Sequence, residues 1–177
     1  MKILFVAAVE FELAVARAVR PGPGSVFLCT GMGPEATRGA LERIFADNRF
    51  DLAVDVGIAG SYDTGRFPVG SVVQVVAERF GGRSGLPLRN PSPPVSFAAL
   101  PEASGNTVPA LEACYRAVEA DIETMEGAAF FEACLAADIP FAEIRAVSNA
   151  VGEEDRTRWN IPLALARLQT ALKTLLP

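Results

Sequence analysis

Lys2-Ile3-Leu4-Phe5-Val6-Ala7-Ala8-Val9, followed at once by Glu10-Phe11-Glu12, is the stretch that decides the fold. The run is apolar and hardly alternates, as in a parallel strand buried on both faces. From Phe11 to Val19 the spacing becomes helical, with Leu13, Ala14, Ala16 and Ala18, so the two acids fall where a central strand hands over to a helix. In open α/β sheets ligands bind at that carboxyl end.

Working outward, the same alternation repeats. Ser25 to Thr30 reads as a second strand, Gly31-Met32-Gly33-Pro34 as a turn, and Glu35 to Asp47 as a helix with Ala36, Ala40, Leu41, Ile44 and Phe45 on one face. Pro34 suits a first helical turn, where its missing N–H costs nothing. Leu52 to Val56 is a third strand closing in Gly57-Ile58-Ala59-Gly60, and Ser71 to Ala77 a fourth. Residues 81–109 are rich in Gly, Pro and Ser and read as loop. Helices are expected at Ala110 to Ala117, Thr124 to Ala137 and Pro162 to Leu176, and a strand at Pro140 to Val147. This pattern predicts one α/β domain over residues 1–177, with a mainly parallel sheet covered by helices on both faces.

Composition narrows the chemistry. The chain has 177 residues, no histidine and a net charge of −5. Without histidine there is no Ser-His-Asp triad, Cys-His pair or His-ligated metal, so acid–base work falls to carboxylates. With no run of Lys or Arg, neither nucleic acid nor an anionic membrane is an expected partner. The apolar stretches are far shorter than the roughly 20 residues of a membrane span. The N-terminus lacks the order of a signal peptide, so the expected location is the cytoplasm. Cys29, Cys114 and Cys134 are widely spaced in apolar surroundings and read as reduced, buried thiols.

Four features invite a functional reading. Gly31-Met32-Gly33-Pro34-Glu35-Ala36 fits the dinucleotide fingerprint G-x-G-x-x-A, but Asp51 opens the next strand instead of closing it, where a ribose-binding acid belongs. Glu10 and Glu12 suit either a solvated helix start or a carboxylate site. Glu126 precedes Ala128-Ala129-Phe130-Phe131, a helix apolar almost all round, and an acid on such a helix needs a polar partner. Arg145 lies inside an apolar strand and must be paired, with Glu12 the expected partner, while Asn149 either closes a turn or faces a ligand.

Ala7-Ala8-Val9-Glu10-Phe11-Glu12, Thr30-Gly31-Met32-Gly33, Gly57-Ile58-Ala59-Gly60, Glu123-Thr124-Met125-Glu126-Gly127-Ala128 and Ile144-Arg145-Ala146-Val147-Ser148-Asn149 together resemble, in order and over nearly the whole chain, the nucleoside phosphorylase/nucleosidase family. Within it the likeness is closest to the hypoxanthine-releasing hydrolases, through Glu-Thr-Met-Glu-Gly-Ala-Ala-Phe-Phe and Arg156-Thr157-Arg158-Trp159-Asn160. The resemblance implies a three-layer αβα fold with a central mixed, mainly parallel sheet. It also implies hydrolysis of a purine nucleoside at its N-glycosidic bond, with no cofactor and no metal, by a homodimer or larger homo-oligomer. By similarity Glu12 is the general base, Arg145 helps hold the attacking water, and Asn149 reads the base, where adenine-directed relatives carry Asp. Glu126 takes the ribose hydroxyls, Met125 packs beneath the sugar, and Ala59 and Gly60 border the substrate. Ile58 stands where methylthioadenosine-cleaving relatives have a small hydroxyl residue. The usual base-stacking aromatic near Gly105-Asn106-Thr107 is absent, so Val108 is expected to pack on the purine, and Trp159 is either an aromatic lid or an interface anchor. Family phosphorylases carry an anion-binding Gly-Asp-Pro-x-Arg segment after the first strand. Glu10 and Glu12 stand there instead, which favours water over phosphate. An adenine-directed nucleosidase, a phosphorylase and a nucleotide-binding module without turnover are the alternatives.

Overall fold

The computed structural model describes all residues except 20, 82, 84, 93, 95, 96, 113, 114, 116–118, 176 and 177. Ile3–Ala7, buried throughout, forms β1, and the chain enters α1 (Glu10–Ala18) two residues later. In α1 the inward residues are Glu12, Leu13, Val15 and Ala16, while Ala14 and Ala18 face out. The next unit is β2 (Val26–Cys29) and α2 (Pro34–Asp47), with Pro34 in the first turn. Its buried stripe is Thr37, Ala40, Leu41 and Phe45, and Ala36 is exposed. There follow β3 (Leu52–Ser61), β4 (Val72–Phe80), a two-residue β5 (Leu88–Arg89), β6 (Glu102–Thr107), β7 (Ile122–Thr124), α3 (Gly127–Ala137), β8 (Phe141–Ala150), a 3-10 turn at Arg156–Arg158 and α4 (Ile161–Leu175).

The eight strands pair in the order β2-β1-β3-β7-β6-β4-β5, and β8 lies between β3 and β4. Pairs β1/β2, β1/β3, β3/β8, β4/β6 and β6/β7 are parallel, and β3/β7, β4/β5 and β4/β8 antiparallel. The expected α/β fold with a mixed, mainly parallel sheet is therefore found. The sheet is not fully open, however: β3, β8, β4, β6 and β7 pair round into a closed circuit, with β1 and β2 extending from β3.

Helices cover both faces. Leu41 and Phe45 of α2 and Phe130, Phe131 and Cys134 of α3 pack on one. Phe130, Phe131 and Phe141 meet edge to face with ring centroids 4.8 to 6.5 Å apart, a favoured aromatic geometry. Leu13 and Ala16 of α1 and Ala164, Leu168 and Leu172 of α4 pack on the other, against Phe5, Val54, Val56 and Ile144. Among the described residues no helix is long and apolar enough to cross a membrane.

Two strands were expected to stop early and do not. Glycines 57 and 60 read as turn signals, yet β3 runs on to Ser61, and β8 continues past Val147 to Ala150, because the two stay paired from Ala53/Phe141 to Ser61/Ala150 with a bulge between Ala59 and Gly60. Asn149 thus lies in a strand and does not close a turn. Residues 81–109 are not wholly loop, since Glu-Ala-Ser-Gly-Asn-Thr forms β6 despite its low β-propensity. Likewise Ile122–Thr124 is a strand, and α3 begins at Gly127, not at Thr124. Cys29 is exposed and its thiol donates to the Ala8 carbonyl, whereas Cys134 is buried. Cys114 and half of the helix expected over Ala110 to Ala117 lie outside the described residues.

Candidate active site

Glu12 is placed by the abrupt change from strand to helix: Val9 is extended, α1 begins at Glu10, and Glu12 turns inward to 5% exposure while Glu10 stays in solvent. Its Oε1 accepts the Ile58 N–H at 2.9 Å. Burial pushes its carboxyl above the ordinary value; Arg145 and the Ile58 amide pull it down, and Glu126 adds to the rise.

Arg145, 1% exposed, does not make its ion pairs with Glu12. Asp55 and Glu143 stand side by side in the β3/β8 register, and Arg145, two residues along the same face, is opposite Gly57. Two adjacent acids without water demand a cation between them. Arg145 supplies it, donating Nε–H to Glu143 Oε1 at 2.7 Å and Nη2–H to Asp55 Oδ2. Its third nitrogen, Nη1, abuts the α-carbon of Gly57. A β-carbon there would collide with Nη1 and lie 2.9 Å from Glu12 Oε1. Glycine at 57 therefore lets Arg145 and Glu12 approach across β3.

Behind this group lies Glu78, fully buried, whose oxygens accept the hydroxyls of Thr107 (2.8 Å) and Thr124 (3.2 Å). Those hydroxyls take amides from the start of α3, Ala128 to Thr107 at 2.7 Å and Gly127 to Thr124 at 3.4 Å. Burial holds Asp55 and Glu78 well above the ordinary carboxylate range and raises Glu143 too. The acids at 55, 78 and 143 were missed in the sequence. The available signal was an acid inside each of the runs Leu52 to Val56, Ser71 to Phe80 and Pro140 to Val147, the same signal that singled out Arg145.

At the start of α3, Glu126 is 7% exposed and its Oε1 accepts the Gly33 N–H at 2.9 Å. Gly31 and Gly33 have φ of 87° and 92°, a region that favours glycine, so the Gly-Met-Gly turn aims an amide at Glu126. Asp51 instead takes the Lys2 N–H at the amino end of the sheet, and the dinucleotide reading falls. Asn149 donates Nδ2–H to the Ala150 carbonyl at 2.9 Å and accepts Ser148 Oγ–H on Oδ1 at 2.7 Å. A carbonyl only accepts, so this pairing fixes which way round the amide stands. Gly60 leaves room for it, since a β-carbon there would sit 3.3 Å from Nδ2.

These side chains open on one cavity of about 290 Å³, near the lower end for ligand sites. Glu12, Ala59, Gly60, Met125, Glu126, Asn149 and Trp159 line it together. Two expected residues do not. Arg145 stands one layer behind, and Val108 is fully buried beneath Gly81, its amide bonded to the Thr124 carbonyl. Phe11, Met32 and Leu111, exposed at the rim, went unnoticed. Trp159 donates its indole N–H to the Glu153 carbonyl at 3.0 Å, with Arg156 over its ring. Among the described lining residues the acids are Glu12, Glu123 and Glu126 and the only cation is Arg156, a poor setting for an anion such as phosphate. A second hollow, between α2 and α3, has the surface pair Arg38–Glu132 but no comparable convergence of buried polar groups.

Several known proteins are similar to this chain. The sequence profile of the Phosphorylase superfamily matches residues 97–177. Futalosine hydrolase of Thermus thermophilus is 31% identical over 189 residues, covering 88% of this chain and 82% of that protein. Futalosine hydrolase of Streptomyces coelicolor is 33% identical, covering 83% of this chain and 61% of that one. Among solved structures, the methylthioadenosine/S-adenosylhomocysteine nucleosidase of Colwellia psychrerythraea, in complex with adenine, superposes with a TM-score of 0.83 at 19% identity, over 99% of this chain and 94% of that one. Futalosine hydrolase of Helicobacter pylori does so at 0.81 and 12% identity, over 99% and 97%. At these identities the structures speak for the fold, and the Thermus relative for the family. The chain belongs to the futalosine hydrolase family.

Proposed function

We propose that the chain hydrolyses the N-glycosidic bond of futalosine, releasing hypoxanthine and dehypoxanthine futalosine, a step on the futalosine route to menaquinone. The observation that carries this reading is the fixed amide of Asn149 in a cavity shared with Glu12 and Glu126. With one Nδ2–H on the Ala150 carbonyl, the other is left for a 6-oxo group, and Oδ1 keeps a lone pair for a protonated ring nitrogen. A 6-amino purine offers the reverse pattern at its exocyclic position.

In the reaction, the C1′–N9 bond breaks with the electron pair leaving on the base, and the ribose passes through an oxocarbenium-like state. Glu12 takes a proton from the attacking water as its oxygen bonds to C1′. Glu126 holds the ribose hydroxyls, Met125 lies beneath the sugar and Trp159 closes the cavity mouth. An amide cannot deliver a proton, so the one acquired by the leaving base comes from solvent. The active protein is a cytoplasmic homodimer or larger homo-oligomer on this reading, a state that its mass in solution tests.

The test is release of free base from futalosine, inosine, methylthioadenosine and S-adenosylhomocysteine, with and without phosphate. The expected result is hypoxanthine, fastest from futalosine and indifferent to phosphate. Adenine released instead would overturn the reading of Asn149, and stimulation by phosphate would make the enzyme a phosphorylase. Glu12→Gln is expected to lower kcat at least about 10²-fold with KM nearly unchanged, because it removes the base and keeps the shape.

A further inference from the structure

Three buried acids, Asp55, Glu78 and Glu143, have no part in the reaction just described, yet the fold accommodates them at some cost. Gly57, Gly105 and Gly127 are each bare because a β-carbon would strike Arg145, Glu78, or Glu78 and Glu143. We propose that Asp55 and Glu143 are positioning residues for hydrolysis: each clamps one guanidinium nitrogen of Arg145, leaving Nη1 aimed across Gly57 at Glu12.

A guanidinium is a rigid planar fork, so fixing Nε and Nη2 fixes the direction of Nη1. Arg145 is buried to 1% and does not border the cavity, so it reaches the reaction only through what Nη1 touches. The clamp also sets the field at Glu12. The charged groups facing Glu12 are Arg145 on β8 with Glu143 beyond it, Asp55 on β3 and Glu126 at the start of α3; on its own helix Glu10 and Arg17 pair in solvent. A bare Arg145 would hold Glu12 firmly ionised and make it a weak base, whereas acids on two sides of the guanidinium spend part of its charge. Glu12 is thereby left nearer the basicity that a general base requires.

Two substitutions at one position separate aim from charge. Glu143→Gln keeps an oxygen for Nε–H and removes the charge. Arg145 is then less compensated, the Glu12 pKa falls, and the acid limb of the kcat profile moves to lower pH by about one unit, with a lower plateau. Glu143→Asp keeps the charge and withdraws the oxygen by one methylene, so kcat falls about 10²-fold through lost aim while the limb stays in place. KM stays within twofold in both, because neither touches the cavity. A Glu143→Gln profile superimposable on the parent's, with only the melting temperature lowered, or a loss that falls on KM, would overturn the proposal. Should Glu143→Gln not fold, Asp55→Asn at the other arm of the clamp is read in the same way.

The inference rests on the hydrolytic reading above, and the parent protein's base-release assay tests that reading alone. The clamp has its own readout, the side-chain ¹⁵N–¹H resonance of Arg145 Nε. It is expected to be protected from solvent exchange in the parent and displaced in Glu143→Gln, and rapid exchange in the parent would sink the clamp whatever the substrate.

Discussion

At residue scale, position 149 turns on a single atom. The Ala150 carbonyl lies 2.9 Å from Asn149 Nδ2, a good hydrogen bond for an amide and a repulsive contact for a carboxylate oxygen. Asn149→Asp is therefore expected to lose hypoxanthine release, with kcat/KM for the 6-oxo nucleoside down about 10²-fold or more, and not to gain efficient adenine release near neutral pH. Comparison of both substrates across pH checks this; efficient adenine release at pH 7.5 would mean that the Ala150 contact does not constrain the side chain. The candidate site was largely legible at this scale. Glu12, Glu126 and Asn149 stood at element ends where periodicity breaks off, and motif order placed them together. The partners of Arg145 were not legible, because Asp55 and Glu143 become neighbours only through the parallel register of β3 and β8, which no local pattern encodes. Val108 was misjudged for a related reason: it follows β6, a strand whose small polar residues hide it in the sequence.

At the scale of elements, the start of α3 carries the argument. The helix is apolar on nearly every side, and its first turn delivers amides to Thr107 and Thr124, which hold Glu78, while Glu126 leans on Gly33. Gly127→Ala sets two effects against each other. Replacing glycine in a helix gains at most about 1 kcal/mol. The new methyl would press on Glu78 and come within 2.7 Å of Glu143 Oε1, and overpacking of that kind costs about 1–3 kcal/mol. The clash is expected to win because both carboxyls are buried and cannot swing aside, and thermal melting should show a lower midpoint, by about 2–4 °C per kcal/mol in a chain of this size. A raised midpoint would mean that Glu78 is not held where it stands. The same region marks the limit of reading elements from sequence. The α/β alternation and β1, β2, α1, α2 and α4 were visible because each carries its own period, whereas β6 and β7 owe their state to β4 and β3 alongside them.

For the whole molecule, the buried acids set pH against stability. Burial, reinforced by repulsion from Glu143, holds Glu78 well above the ordinary carboxylate range, with hydroxyls against its oxygens, whereas Asp55 and Glu143, raised by burial too, are drawn back by the Arg145 guanidinium that they flank. The folded protein therefore keeps at Glu78 a proton that the unfolded chain releases near pH 4. Its contribution to stability is complete below that range and is lost as pH rises through the raised folded value. The net charge of −5 at pH 7, growing more negative as pH climbs, pushes in the same direction. Activity runs the other way, since Glu12 must be ionised to take a proton and its own value is raised by burial. The melting temperature is thus expected to fall as pH rises above the ordinary carboxylate range, while kcat climbs along its acid limb. Glu78→Gln distinguishes the buried cluster from overall charge: it removes a titrating group and leaves the surface untouched, so the fall in melting temperature should become shallower. A parent protein whose melting temperature stays level or rises as the pH is raised would show that Glu78 is ionised in the folded state, with the hydroxyls of Thr107 and Thr124 enough to hold its charge without water.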